Sequence, residues 1–309
     1  MKTKSLLLLP MLLILLTGCY KDDNSDCPEG RYIYFNSVMN KYDYEDVAEC
    51  VHLYLYDNQG KLADTYSFST QQLEASGYKV QLPFYTPGDY TLVAQVNYSD
   101  EHYAVTGHDD LSSFRSSIQC GPSDLQNDIW HGYRTIRFDR YSIARQECDT
   151  VDVYKNTNNF EVYVRFKDGS IPQRKNITAY MEGSNGMVGY NNNCIAGSLR
   201  TYRPYTTMES NHQYSFRTMN LNTDSDLALY LEAADMTRAS QSVSLPIASY
   251  LAQIKDAGGN YLYKTQAQLD QEDRFEIIVT LDDNGPGGNL QIIGLIINGW
   301  ALIKQAEEL

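Results

Sequence analysis

Six cysteines, five histidines and 39 acidic residues are the side chains with chemistry to offer in this 309-residue sequence. Catalysis needs such groups to converge with tuned pKa values. The histidines (His52, His102, His108, His131 and His212) stand in separate segments, with no His-Glu-x-x-His pair to hold zinc. There is no Gly-x-Ser-x-Gly elbow, phosphate-binding loop or Gly-x-Gly-x-x-Gly, and Gly183-Ser184-Asn185-Gly186 reads as a turn. Glu161 and Asp168 could flank a glycosidic bond, but among 39 acids a chance pair is uninformative. Asp282-Asp283-Asn284-Gly285 lacks the alternating ligands and closing glutamate of a calcium loop, so a hairpin turn is expected there. No Cys-x-x-Cys or Cys/His cluster occurs, which disfavours zinc and dithiol redox roles. The expectation is a non-enzyme with no cofactor and no metal.

One thiol has a chemistry of its own. Lys2 and Lys4 precede an apolar run from Leu6 to Leu16, and the small pair Thr17-Gly18 leads into Cys19. That is the layout of a secretory signal, and the run is too short to span a bilayer, which takes roughly 17 to 25 residues. Leu16-Thr17-Gly18-Cys19 resembles the bacterial lipobox, so cleavage before Cys19 and acylation of its thiol and freed amine are expected. Two or three acyl chains anchor stably, because each buried CH₂ contributes about 0.8 kcal/mol. Lys21-Asp22-Asp23 follows at once. It reads either as a short charged surface-export signal of the kind used by Bacteroidota lipoproteins or as a solvated linker.

Removal of Lys2 and Lys4 with the leader takes the formal charge from −14 to −16. An acidic chain repels nucleic acid and anionic headgroups, so neither DNA nor RNA is an expected partner. Export permits disulfides. Of the five cysteines beyond Cys19, the pair Cys120 and Cys148 flanks a Gly-Pro-Ser loop and is favoured, with Cys27 and Cys50 the next candidates and Cys194 left over. Sequence does not choose the connectivity. Tyrosine is the unusual residue, 26 of them against nine phenylalanines and two tryptophans. It favours strands and packs its ring while leaving the hydroxyl wet. A β-rich exported protein explains this abundance, and aromatic platforms for sugars are the alternative.

The elements that must position these residues are short and alternating. Val51, Leu53 and Leu55 alternate with His52, Tyr54 and Tyr56, which predicts a strand with one buried face. Asp57-Asn58-Gln59-Gly60 is turn chemistry, and Leu62 to Phe68 can return as the hairpin partner. Thr86-Pro87-Gly88-Asp89 makes a corner, after which Tyr90, Leu92, Ala94 and Val96 share a face. Leu111, Phe114 and Ile118 fall at helical spacing and predict a small helical insert. The pattern restarts with Val151 to Tyr154 and the alternation of Phe160, Val162, Val164 and Phe166. Further strands are predicted at Ile177 to Met181, Tyr214 to Met219, Leu227 to Ala233 and Phe275 to Leu281. One helix is expected over Ile247 to Lys255, with Pro246 in its first turn and Gly258-Gly259 beyond its end. Leu290 to Ile297 is apolar on both faces. Strands buried on both sides read this way, and so do strands exchanged between subunits. Ile292, Ile293, Leu295, Ile296, Ile297 and Trp300 are therefore the candidate partner-strand region. The predicted organisation is a leader over 1–18, a lipidated linker over 19–30, and all-β domains over 31–149 and 150–309.

In their order along the chain, several soft motifs carry a resemblance. They are the lipobox with Cys27-Pro28 after it, the strand Cys50 to Gly60 (CVHLYLYDNQG), Asp128-Ile129-Trp130-His131-Gly132 and Val153-Tyr154-Lys155-Asn156-Thr157-Asn158. The close, Phe275 to Leu281 and then Ile296-Ile297-Asn298-Gly299-Trp300, completes the set. Together they resemble the anchor-type fimbrillin lipoproteins of Bacteroidota, found at the base of type V pili. The resemblance implies two tandem transthyretin-like β-sandwich domains with small helical insertions. It also implies an outer-membrane, surface-exposed lipoprotein that holds the first pilin subunit, in a pilus class that joins subunits by strand exchange. Structural pilins of that class lose an N-terminal strand to cleavage after a basic residue. Here Arg31 is the only basic residue close ahead of the first strand, which favours an anchor that keeps its lipid. A surface glycan-binding lipoprotein is the alternative. Asp149-Thr150-Val151 also matches the Asp-Ser/Thr-aliphatic pattern glycosylated in Bacteroidota.

Overall fold

The computed structural model describes residues 31–99, 103–119, 128–139, 147–167, 176–208, 212–235, 238–282 and 290–303. Cys19, Lys21, Asp22, Asp23, Cys27, Cys120, Asp168 and all but the first residue of the Asp282 to Gly288 turn lie outside the described residues.

The first half forms one seven-stranded sheet. Its strands are β1 (Arg31–Ser37), β2 (Cys50–Tyr56), β3 (Leu62–Ser69), β4 (Val80–Leu82), β5 (Gly88–Val96), β8 (Trp130–Phe138) and β9 (Glu147–Lys155). They lie in the order β3-β2-β5-β8-β9-β1-β4. The alternation read in β2 is real, with Val51, Leu53 and Leu55 wholly buried, and each such side chain contributes about 1.5–3 kcal/mol. One core takes side chains from β1 and β4 at one end of the sheet and from β2, β5 and β8 nearer the other. The sheet therefore curls back over itself.

The second half forms two facing sheets. One has the order β14 (Thr206–Met208), β15 (Gln213–Met219), β10 (Thr157–Phe166), β18 (Arg274–Asp282), β19 (Gln291–Ile297), β20 (Trp300–Ile303). The other has the order β13 (Arg200–Tyr202), β11 (Asn176–Gly183), β16 (Ala228–Asp235), β17 (Arg238–Pro246). Phe160, Val162 and Ile277 from the first meet Met181, Leu229 and Leu231 from the second in one core. The fold is all-β, as read, and the restart of the pattern is visible in the topology. Each half opens on a strand paired in parallel with a late strand of that half, β1 with β9 and β10 with β18. The tyrosines pack as expected: the buried Tyr214 donates to Ile177 O at 2.6 Å, and the buried Tyr202 to Asn185 Oδ1 at 3.1 Å.

Three local expectations differ. β9 runs through the boundary placed at Asp149 and stays in the first sheet, so the halves meet at Asn156, the single residue between β9 and β10. The segment at Asp110 to Ile118 is a single 3-10 turn (Leu111–Ser113) followed by β7 (Arg115–Ile118). That strand lies between β6 (Tyr103–Thr106) and β12 (Met187–Gly189), so a fourth, three-stranded sheet joins the halves. Pairing across this distance in sequence overrides the local helical spacing. The helix beginning at Ile247 ends at Leu251 rather than Lys255, because Lys255 bridges to Tyr261 across the turn at Gly258-Gly259.

Candidate functional site

Two of the motifs come together at the junction of the halves. Asp128 lies just ahead of β8, and Lys155 ends β9. Lys155 Nζ reaches Asp128 Oδ2 at 2.6 Å and also pairs with Asp273, which directly precedes β18. The Lys155 and Asp273 side chains are only 2% and 1% exposed. Lys41 adds ion pairs to Asp273 at 2.5 Å and Glu272 at 3.1 Å, and Arg217 reaches Asp128 at 3.6 Å. Three cations thus meet three carboxylates, which is what makes buried charge tolerable. Burial pushes the Asp273 carboxyl up, but the Lys155 and Lys41 ammonium groups override it and hold it below its ordinary value. Tyr42 donates to Asp273 at 3.2 Å and lies edge-on to buried Trp130. The Gln271 side chain ties the same segments: its Oε1 accepts from Asn40 N at 3.0 Å and its Nε2 donates to Val38 O at 2.7 Å.

Gly132 and His131 explain the rest of the Asp128 to Gly132 motif. A Cβ on Gly132 would sit 2.4 Å from Asp152 O, so only glycine lets β8 approach β9 here. His131 is wholly buried. Its Nε2 lies 2.6 Å from Tyr190 O, across the junction. Burial pushes its pKa down to about 4, so the ring is neutral and Nε2 carries the proton. Asp273 was missed in the sequence, because an acid one step ahead of an alternating strand looks like any solvated turn residue.

Of the disulfide candidates, Cys27 and Cys120 lie outside the described residues. Cys50, Cys148 and Cys194 are unbridged. Cys50 on β2 and Cys148 on β9 are separated by β5 and β8, and three strand spacings of about 4.8 Å exceed the ~7 Å Cα limit for a bridge. Cys148, proposed as the partner of Cys120, is exposed on β9 with neighbouring Thr150. Glu161 lies on β10 and accepts from Ser215 at 2.7 Å.

The partner-strand region falls on two strands. Ile292, Ile293, Leu295, Ile296 and Ile297 belong to β19, which is paired with β18 on one side and β20 on the other. β20 covers β19 only from Leu295 to Ile297. Among the described residues the edge strands of this sheet are β14 and β20, and Trp300 begins β20. Ile297 and Leu295 point into the core, while Ile293 and Ile296 are half-buried on the outer face beside Ile278. Asn298 and Gly299 form the two-residue turn, with φ of 48° and 82°. Both positive angles match the turn type whose twist suits a hairpin, which is why Asn-Gly stands there. Asn298 Oδ1 also accepts from Glu276 N at 2.8 Å, fixing the hairpin to β18.

Such a molecule, with buried charge joining its halves and an apolar hairpin at a sheet edge, is a β-rich protein of two joined halves. The model of the fimbrillin-A associated anchor proteins Mfa1 and Mfa2 matches residues 24–306, and the chain belongs to that family. It is 26% identical over 159 residues to the major fimbrium anchoring subunit FimB of Porphyromonas gingivalis ATCC 33277. That match takes in 48% of this chain and 50% of FimB, so the chain spans about half the length of the curated relatives it matches. The fold is similar to that of the fimbrial anchor protein Mfa2 from Porphyromonas gingivalis, with TM-score 0.70, 18% identity, and 90% and 100% of the two chains covered. A Bacteroides thetaiotaomicron protein whose description proposes polysaccharide binding is similar at TM-score 0.71, 20% identity, and 91% and 100% coverage.

Proposed function

We propose that this protein is a lipoprotein of the outer membrane that anchors a fimbria and holds its first pilin subunit. Acylated Cys19 is the tether, Lys21-Asp22-Asp23 the surface address, and a pilin strand adds to the open edge of β20. Membership of the anchor family over residues 24–306 supports the role. The observation that carries the docking mode is β20 itself: a short terminal strand, Trp300 and Ala301 exposed, beside the outward Ile293 and Ile296. An exposed apolar edge is ordinarily blunted by charge or covered, and an added strand would cover this one.

Proline scanning tests this mode. N–H groups alternate along an edge strand between the neighbour and the open side, so Ala301→Pro and Leu302→Pro should behave oppositely. One should abolish pilin capture with little loss of stability, and the other should loosen β20 from β19. Capture by both variants at the wild-type level would refute docking at β20. Deleting the gene should release fimbriae into the medium or alter their length, and unchanged fimbriae would overturn the anchoring role itself.

A further inference from the structure

Between the halves, away from β20, lies an open cleft of about 630 Å³, within the ordinary size range of ligand sites. The first half contributes His131, Tyr133 and Tyr154. His131 and Tyr154 are register partners on β8 and β9, and Tyr133 is two residues along, so all three share one sheet face. The second half contributes Asn192 from the turn after β12, Asp224, and Asp270 at the end of the short helix Gln266–Leu269.

Two polar atoms of this lining are buried without a partner, His131 Nδ1 and Asn192 Oδ1. Because Nε2 of His131 donates to Tyr190 O, Nδ1 presents a lone pair. Asn192 Oδ1 is likewise an acceptor. Unpaired buried acceptors are destabilising, and a ligand bearing hydroxyl donors would supply the missing partners. Asp224 and Asp270 add carboxylate acceptors, and no lysine or arginine is among the described lining residues. Phosphate, sulfate and uronate are therefore disfavoured. No group of three or more His, Cys, Asp or Glu residues suited to a metal ion occurs among the described residues. Tyr133, 46% exposed, and half-buried Tyr154 supply aromatic surface against which the apolar face of a pyranose can pack.

We propose that this cleft binds a neutral oligosaccharide, with His131 Nδ1, Asn192 and Asp224 accepting from sugar hydroxyls and the two tyrosines packing against a ring. The site is independent of the docking edge, so the anchor could engage a glycan while holding its pilin. The test uses the full-length protein in a sugar-free detergent. It is screened against gluco-, manno-, galacto- and N-acetylglucosamine-based neutral oligosaccharides by saturation-transfer NMR, and positives are titrated by calorimetry. At least one should bind. Tyr154→Ala and Asp224→Asn should each weaken it at least tenfold while keeping the wild-type melting temperature, and Tyr34→Ala, an exposed tyrosine on β1, should not. Absence of binding across the panel overturns the proposal, as does equal binding by wild type and both cleft variants. Stabilisation by calcium chloride that depends on Asp224, without sugar binding, would assign the cleft to a cation instead.

Discussion

The junction and the terminal hairpin are both built from recognisable motifs, yet they use their residues in opposite ways. At the junction, charge is buried and fully paired, and a glycine and a histidine are fixed by close contact across it. At the hairpin, apolar groups are left half-exposed beside a strand that has no further neighbour among the described residues. Buried, paired charge is costly to break but offers nothing to a partner. An open edge contributes little to the fold and everything to recognition. Damage at the first should therefore read out as stability, and damage at the second as capture.

The largest stability loss is expected from Lys155→Ala. It strands Asp273 in a site where that side chain is 1% exposed, at a cost of about 3–5 kcal/mol in denaturant unfolding. A loss below 1 kcal/mol would mean that the junction is not the cohesive region. Acid should come next. The folded pKa of His131 is near 4, below the unperturbed value of about 6.5, so the unfolded chain binds the extra proton between those limits. Stability from this group is whole above about pH 6.5 and falls as pH drops towards 4, by roughly 3 kcal/mol in all. Comparing wild type with His131→Gln isolates it; equal pH slopes for the two would contradict the buried neutral ring.

Gly132→Ala should cost about 2 kcal/mol through the backbone shift that the added Cβ forces. Asn298→Ala should cost about 1 kcal/mol, from a less favourable left-handed residue and a lost hydrogen bond. A larger effect at Asn298 than at Lys155 would reverse the contrast drawn between the two regions. Smallest in stability is the open-side proline variant of β20, within about 0.5 kcal/mol of wild type, although it should lose capture altogether.

Much of this was legible in the chain. Strands with strict alternation, such as Val51 to Leu55 and Phe160 to Phe166, could be placed because a period of two has one structural meaning. Long-range pairing was not legible. Leu111, Phe114 and Ile118 mimic a helix face, yet Phe114 packs with Tyr56 and Val93 in a small separate core, and Ile118 ends a strand that pairs with residues 187–189. The apolar run Leu290 to Ile297 announced its importance without saying whether it was an edge. Only the return of Trp300 to Ile303 decided that. Lys155 and Asp128 stood in the motifs, but Asp273, which holds Lys155 from the other half, had no local signature.

The lipid tether proposed at Cys19 is open to a direct test. The direct measurement is to replace the gene with one encoding Cys19→Ala and follow both the protein and the fimbriae by fractionation and electron microscopy. The protein is expected to leave the membrane fraction, and fimbriae to be shed with it into the medium. Fimbriae that stay on the cells while the Cys19→Ala protein is soluble would contradict that expectation.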